Sequence, residues 1–293
     1  MTMDQALKIF ALVTLIEMML YIGLSVSVSD VVNTVKNWRL AARGILANYV
    51  LFPALTIGLL LLFQAPPLVA VGFMILAVCP AGPYGAAYTA IAKGNVGTAA
   101  GLMIILAGLS PLLSPALLRL LVPLVSGGET AQVDVTRVAV TLLLGQVLPL
   151  LAGLAVHQWR PQVAARLLGP AEKGTKILNA AFLVLVLYAQ FKSLLAIRLL
   201  GFVGMLILLV ASVAIGWLTG GPGSGVRKAM ALTTAVRNNG VGMVIATGSF
   251  AGTAAVTAAV IYGVVGLLGA LVFAVWWGRR APVKTAIAGE ARA

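Results

Sequence analysis

Cys79-Pro80-Ala81-Gly82-Pro83-Tyr84-Gly85 interrupts an apolar run that otherwise extends from about residue 68 to 92. Two prolines within four residues remove two backbone donors and press their rings on the preceding turn, while the glycines permit sharp bends. A helix entering this stretch stops, and a second one starts after it. A similar interruption, Arg237-Asn238-Asn239-Gly240, lies inside the apolar run at about 228–250. An arginine flanked by two amides within such a run has to face protein or water. Each run therefore reads as a pair of half-helices.

The flanking sequence has the same apolar character. The 293 residues are 61% hydrophobic and 9% charged, too little charge to cover a water-soluble protein of this length. Mean hydropathy is +1.07, and the apolar residues come in stretches of roughly 20, enough to cross a bilayer as helices. A helix in hydrocarbon satisfies its own backbone, and the ten-residue alternation of a membrane barrel is absent. The expected fold class is an all-α integral membrane protein of about nine transmembrane helices. They fall at roughly 7–28, 44–63, 68–92, 96–124, 135–157, 177–197, 199–219, 228–250 and 254–277, with 29–43 and 158–176 as the longer connections. The two interrupted spans lie five apart and cross in opposite directions, the pattern of an inverted repeat with its site where broken helices cross.

The net charge of +13 does not indicate nucleic acid binding, because the basic residues sit between apolar runs. One side receives Lys36, Arg39, Arg43, Lys93, Arg160, Arg166, Lys173, Lys176, Arg227, Lys228, Arg279, Arg280, Lys284 and Arg292. The other receives Lys8, Arg119, Arg137, Lys192 and Arg198, with Glu129 and Asp134. The positive-inside rule makes the first side cytoplasmic, with the N-terminus outside the cell (plasma) membrane and the C-terminus inside. Trp159, Trp276 and Trp277 then fall at cytoplasmic interfaces, where indole prefers to sit. A single histidine, with no Ser-His-Asp set or metal cluster, argues against an enzyme.

These motifs resemble the bile acid:sodium symporter family. The resemblance runs from about Gly23 to Trp277 and rests on Cys79-Pro80-Ala81-Gly82, Ala92-Lys93-Gly94-Asn95-Val96, Ser110-Pro111-Leu112-Leu113-Ser114-Pro115 and Arg237-Asn238-Asn239-Gly240. It implies one transporter domain over 1–293 with substrate bound between a panel and a core. The panel comprises spans at about 7–28, 135–157 and 177–197, and the core those at about 44–124 and 199–277. It also implies sodium as the coupling ion, yet the chain departs at the ligands. The family's Ser-Asn pair after the first break reads Gly85 and Ala86, and hydroxyls of the next span read Met103, Ile104, Leu106 and Ala107. Its acidic residue in the second motif reads Thr233, and its amide reads Arg237. Oxygens have become hydrogens and methyls, and a permanent cation stands where an ion would sit. Sodium coupling is therefore not expected of this chain.

Candidate substrate-binding residues are Arg237, Asn238, Asn239, Pro83, Tyr84 and Asn48. Arg237 can pair with a carboxylate or stand in for a sodium ion; the structural alternative is an arginine bonded to carbonyls of the breaks. Asn238 and Asn239 can offer amides to an anion at a half-helix end. Asn48 keeps one polar position of the family. The candidate ion-coupling set is Glu17, Thr233 and Thr234. Glu17 can take up a proton in mid-span or pair with Arg237, whereas a helix hydroxyl usually bonds its own preceding turn. The expected function is alternating-access transport of a small organic anion, a carboxylate or bile-acid-like molecule, with the lipid bilayer as the other partner. A sodium-independent uniporter or channel and a membrane metabolite sensor are the alternatives.

Overall fold

The structure, a computed structural model, describes residues 3–126, 133–189 and 199–280. Every regular element among them is a helix: α1 (Met3–Ser25), α2 (Val28–Lys36), α3 (Trp38–Leu62), α4 (Pro67–Ala77), α5 (Gly85–Ile91), α6 (Val96–Val125), α7 (Val135–Trp159), α8 (Pro161–Ala189), α9 (Leu199–Thr219), α10 (Ser224–Ala235), α11 (Asn239–Ser249) and α12 (Ala254–Arg280). Among the described residues six helices, α1, α3, α6, α7, α9 and α12, are long and apolar enough to cross a membrane by length and composition. The interrupted runs appear as the pairs α4/α5 and α10/α11.

Two connections expected from sequence are helical. Residues 29–43 fall largely in α2 and the start of α3, which carry polar faces instead of an apolar run. Ser27 caps α2, Asp30 lies in its first turn and Lys36 in its last, each placed favourably for the helix dipole. Residues 161–176 form the start of α8, opened by Pro161, whose missing N–H costs nothing at a helix start. The part of the 177–197 span past residue 189 lies outside the described residues. So do Lys192, Arg198, Glu129, Lys284 and Arg292 of the charge sorting.

Close backbone approach sets several contacts. α1 lies against α7 at Gly23 and Gly153: a Cβ on Gly23 would sit 2.9 Å from Gly153 Cα, and one on Gly153 would sit 3.0 Å from the Gly23 carbonyl carbon. Lipid tails are as apolar as Leu, so such small-residue packing is what draws membrane helices together. α1 also packs on α8 and α11, α4 on α12, and α9 on α10. Leu112, Leu120, Leu218 and Val272 stay exposed, as suits a surface in hydrocarbon.

One proline of α6 frees a backbone acceptor that another helix satisfies. Pro111 has no N–H for the Ala107 carbonyl one turn back, and Gln146 Nε2 donates to that oxygen at 2.6 Å. Tyr49 Oη donates to the neighbouring Leu106 carbonyl at 2.7 Å. Both donors sit on wide π-helical turns, Ala47–Leu51 within α3 and Leu143–Val147 within α7.

Candidate functional site

α4 ends at Ala77 because Pro80 disfavours helical backbone at Cys79 and has no N–H to extend the ladder. Ala81 then takes a left-handed φ of 66°, a conformation costing a residue with a Cβ about 1–2 kcal/mol. Gly82 passes the second break so closely that a Cβ there would overlap the Arg237 carbonyl oxygen. That second break begins after Ala235, where Val236 turns extended with ψ 105°. The chain re-enters a helix at Asn239, capped by Asn238 Oδ1, which accepts from the Val241 N–H at 3.1 Å.

The two breaks are joined backbone to backbone. Gly82 N–H donates to the Val236 carbonyl at 3.2 Å, and Asn238 N–H donates to the Cys79 carbonyl at 2.9 Å. Carbonyls at a helix end lack intrahelical partners, and the four from Leu76 to Cys79 each find a donor from across the fold. Arg237 Nε donates to Leu76 at 3.1 Å and Nη2 to Ala77. Ser114 Oγ donates to Val78 at 2.6 Å, which gives the Ser-Pro motif of α6 a role at the crossing.

Arg237 is the hub of this junction and is only 4% exposed. Its Nη1 also donates to the Thr234 carbonyl at 3.3 Å and to Asn48 Oδ1 at 2.8 Å, and its guanidinium lies 4.6 Å from the Phe52 ring centroid. The charge thus sits between the C-terminal ends of α4 and α10, where helix dipoles favour a cation. Lys228 does the same at the end of α5, its Nζ donating to the Ala92 carbonyl at 2.8 Å. Among the described residues the one ion pair is Lys176–Glu172, so Arg237 is balanced by carbonyl dipoles instead of a carboxylate.

Four other candidates, Asn48, Thr234, Thr233 and Glu17, are engaged by protein. Asn48 Nδ2 donates to the Gly44 carbonyl at 3.0 Å and to Thr234 Oγ1 at 3.3 Å. Thr233 Oγ1 donates to the Ala229 carbonyl of its own preceding turn at 2.7 Å. Around Gly85, a Cβ would meet Met103 Sδ at 3.3 Å and Thr233 Cα at 3.4 Å. Glu17 accepts from Thr175 Oγ1 of α8, at 2.7 Å to Oε2 and 2.9 Å to Oε1. It is not paired with Arg237.

A cavity of about 310 Å³ opens beside the crossing. Its wall is formed by Met18 of α1, Pro83 and Tyr84 of the first break, Lys176, Asn179, Ala180 and Phe182 of α8, Arg237, Asn239, Gly240 and Met243 at the second break and α11, and Val260, Val264, Leu267 and Leu268 of α12. Of the sequence-derived residues, Pro83, Tyr84, Arg237 and Asn239 reach this wall, whereas Asn48, Asn238, Thr233, Thr234 and Glu17 do not. Asn239 Nδ2 donates to the Gly263 carbonyl at 3.1 Å, leaving its buried Oδ1 without a hydrogen-bond partner, as is Asn238 Nδ2.

Sequence reasoning took none of Lys176, Asn179 and Phe182 as site residues: it left Lys176 in the connection at 158–176 and read Asn179 and Phe182 as part of the span at about 177–197. The usable signal was Glu172 and Lys176 four residues apart, a pair that faces one side of a helix.

The Sodium Bile acid symporter family matches residues 12–219. Over 272 residues, 90% of this chain and 81% of the relative, the chain is 26% identical to a Bacillus subtilis (strain 168) protein named "Uncharacterized sodium-dependent transporter YocS". Over 151 residues, 52% of this chain and 35% of the relative, it is 25% identical to the Oryza sativa subsp. japonica protein named "Probable sodium/metabolite cotransporter BASS2, chloroplastic". Both relatives are named as transporters and not as enzymes.

Proposed function

Because the chain belongs to the Sodium Bile acid symporter family and is a multi-pass membrane protein, we propose that it is a secondary transporter of a small organic anion, held in the cavity beside the crossed breaks and moved by alternating access. The cavity carries this reading. Its walls are mostly apolar, with a few convergent polar groups from Lys176, Asn179, Arg237 and Asn239, the usual make-up of a small-molecule site.

In this reading α1, α7 and α8 form the panel and the remaining helices the core. The packing of α1 on both α7 and α8 supports that division. The chain crosses the plasma membrane nine times as two inverted repeats, with its N-terminus outside and its C-terminus in the cytoplasm. The breaks lie near the membrane midplane, and the panel and core rock against each other.

Coupling does not use sodium, although both relatives carry sodium in their names. Supporting this, Arg237 places a tethered cation on the carbonyl ends of α4 and α10, and Thr233 Oγ1 is committed to its own helix. The driving ion is a proton exchanged at Glu17, or transport is uncoupled. The test is uptake of labelled monocarboxylates into proteoliposomes with choline or potassium in place of sodium. Accumulation under an inward proton gradient is expected. A strict sodium requirement would overturn the sodium-free coupling, and equilibration without accumulation would reduce the protein to a uniporter.

A further inference from the structure

Resting on the organic-anion reading of the cavity, we infer that Lys176 of α8, and not Arg237, recognises the substrate's negative charge, with Glu172 as the partner it gives up for the anion. Both cations line the cavity. Arg237 has little left to give: four hydrogen bonds go to Leu76, Ala77, Thr234 and Asn48. An anion drawing on it would leave the Ala77 carbonyl or the Asn48 Oδ1 unsatisfied in a buried site, which is costly.

Lys176 is placed in the opposite way. Its side chain is 68% exposed, and its ammonium is held by Glu172 Oε1 alone, at 2.6 Å, from a carboxylate itself 46% exposed. Exposed pairs one helical turn apart are weak, so exchanging Glu172 for a substrate carboxylate costs little. Asn179 and Phe182 carry the same wall along α8, while Val260 and Val264 of α12 form an apolar wall. A compact amphipathic monoanion would set its charged end on α8 and its apolar body against α12. It would then touch both groups of helices whose relative motion the transport reading requires.

The experiment compares binding of phenylacetate, and of its neutral isostere phenylacetamide, to the purified full chain by calorimetry, with a short panel of other monocarboxylates as further probes. The wild type is expected to prefer the acid. Lys176→Gln should lower affinity for the acid about tenfold and leave the amide unchanged, about the size of one charge-assisted contact. Lys176→Arg should keep the preference, and Glu172→Gln should strengthen acid binding several-fold, because the competitor is gone. An undiminished acid preference in Lys176→Gln overturns this inference and leaves the organic-anion reading standing. A wild type that binds none of the acids, or binds them no better than the amide, overturns both.

Discussion

Arg237 Nη1 donates to Asn48 Oδ1 at 2.8 Å, joining residues 189 positions apart in the chain. The contact is held from both ends. Asn48 Nδ2 is anchored on Gly44 and Thr234, which turns its oxygen toward the guanidinium. Arg237 in turn closes the end of α4. The π-helical turn of α3 and the two breaks therefore form one buried polar network, in which each group satisfies another.

Arg237→Gln should destabilise the protein by about 2–4 kcal/mol, because it strands the buried Ala77 carbonyl and the Asn48 Oδ1. Asn48→Ala should cost less, about 1–2 kcal/mol, since it removes one acceptor and leaves the remaining guanidinium bonds in place. Thermal unfolding in detergent, with Arg237→Lys falling between wild type and glutamine, is the check. A wild-type transition for Arg237→Gln would show that the guanidinium does not hold the breaks.

Gln146 answers a vacancy made by Pro111. In Pro111→Ala a backbone N–H returns to the Ala107 carbonyl, and Gln146 becomes less necessary. Gln146→Leu should therefore cost more in the wild type than in Pro111→Ala, with a coupling of about 1 kcal/mol. A double-mutant cycle on unfolding free energies measures it, and additivity would remove the compensation.

Gly23→Ala should force α1 and α7 apart, because the new methyl meets the backbone of residues 150–154 and not a movable side chain. A loss of about 2 kcal/mol or more is expected, as for overpacking between closely spaced helices. Gly169→Ala in α8 is the control: a Cβ there meets nothing within 4 Å, and alanine is the better helix former by about 1 kcal/mol. Equal melting shifts for the two variants would contradict the close contact.

Glu17→Gln keeps an acceptor for Thr175 and should leave the fold and substrate binding near wild type. Acceleration of uptake by an inward proton gradient should vanish in this variant if Glu17 carries the coupling proton. Uptake at two external pH values in matched proteoliposomes decides it, and an unchanged response would take Glu17 out of the coupling path.

The local chemistry of the breaks is legible in the residue types alone. Pro80 and Pro83 cannot sustain a ladder, so the interruption of 68–92 follows from them directly. The long apolar runs are legible for a similar reason: hydrocarbon admits only backbone that satisfies itself, and helices do so locally. The charge of Arg237 likewise requires a buried polar site. The polar start of α8 escapes such a reading, because membrane spans are recognised as apolar runs. A polar helix needs only its own hydrogen bonds and a fitting start, here at Pro161.

By itself, then, the sequence determined the helical membrane class, the positions of the interruptions and the presence of a buried cation, because each depends on a residue and its near neighbours. Tertiary structure alone decided who meets whom. It gave the Leu76 and Ala77 carbonyls to Arg237 and the Val78 carbonyl to Ser114, and set Glu17 against Thr175. It also brought Lys176 to the cavity wall while engaging most of what Arg237 can donate. Those partners are far apart in the chain, and their approach is fixed by how whole helices pack, through contacts such as Gly23 on Gly153, for which no local pattern of residues carries a signal.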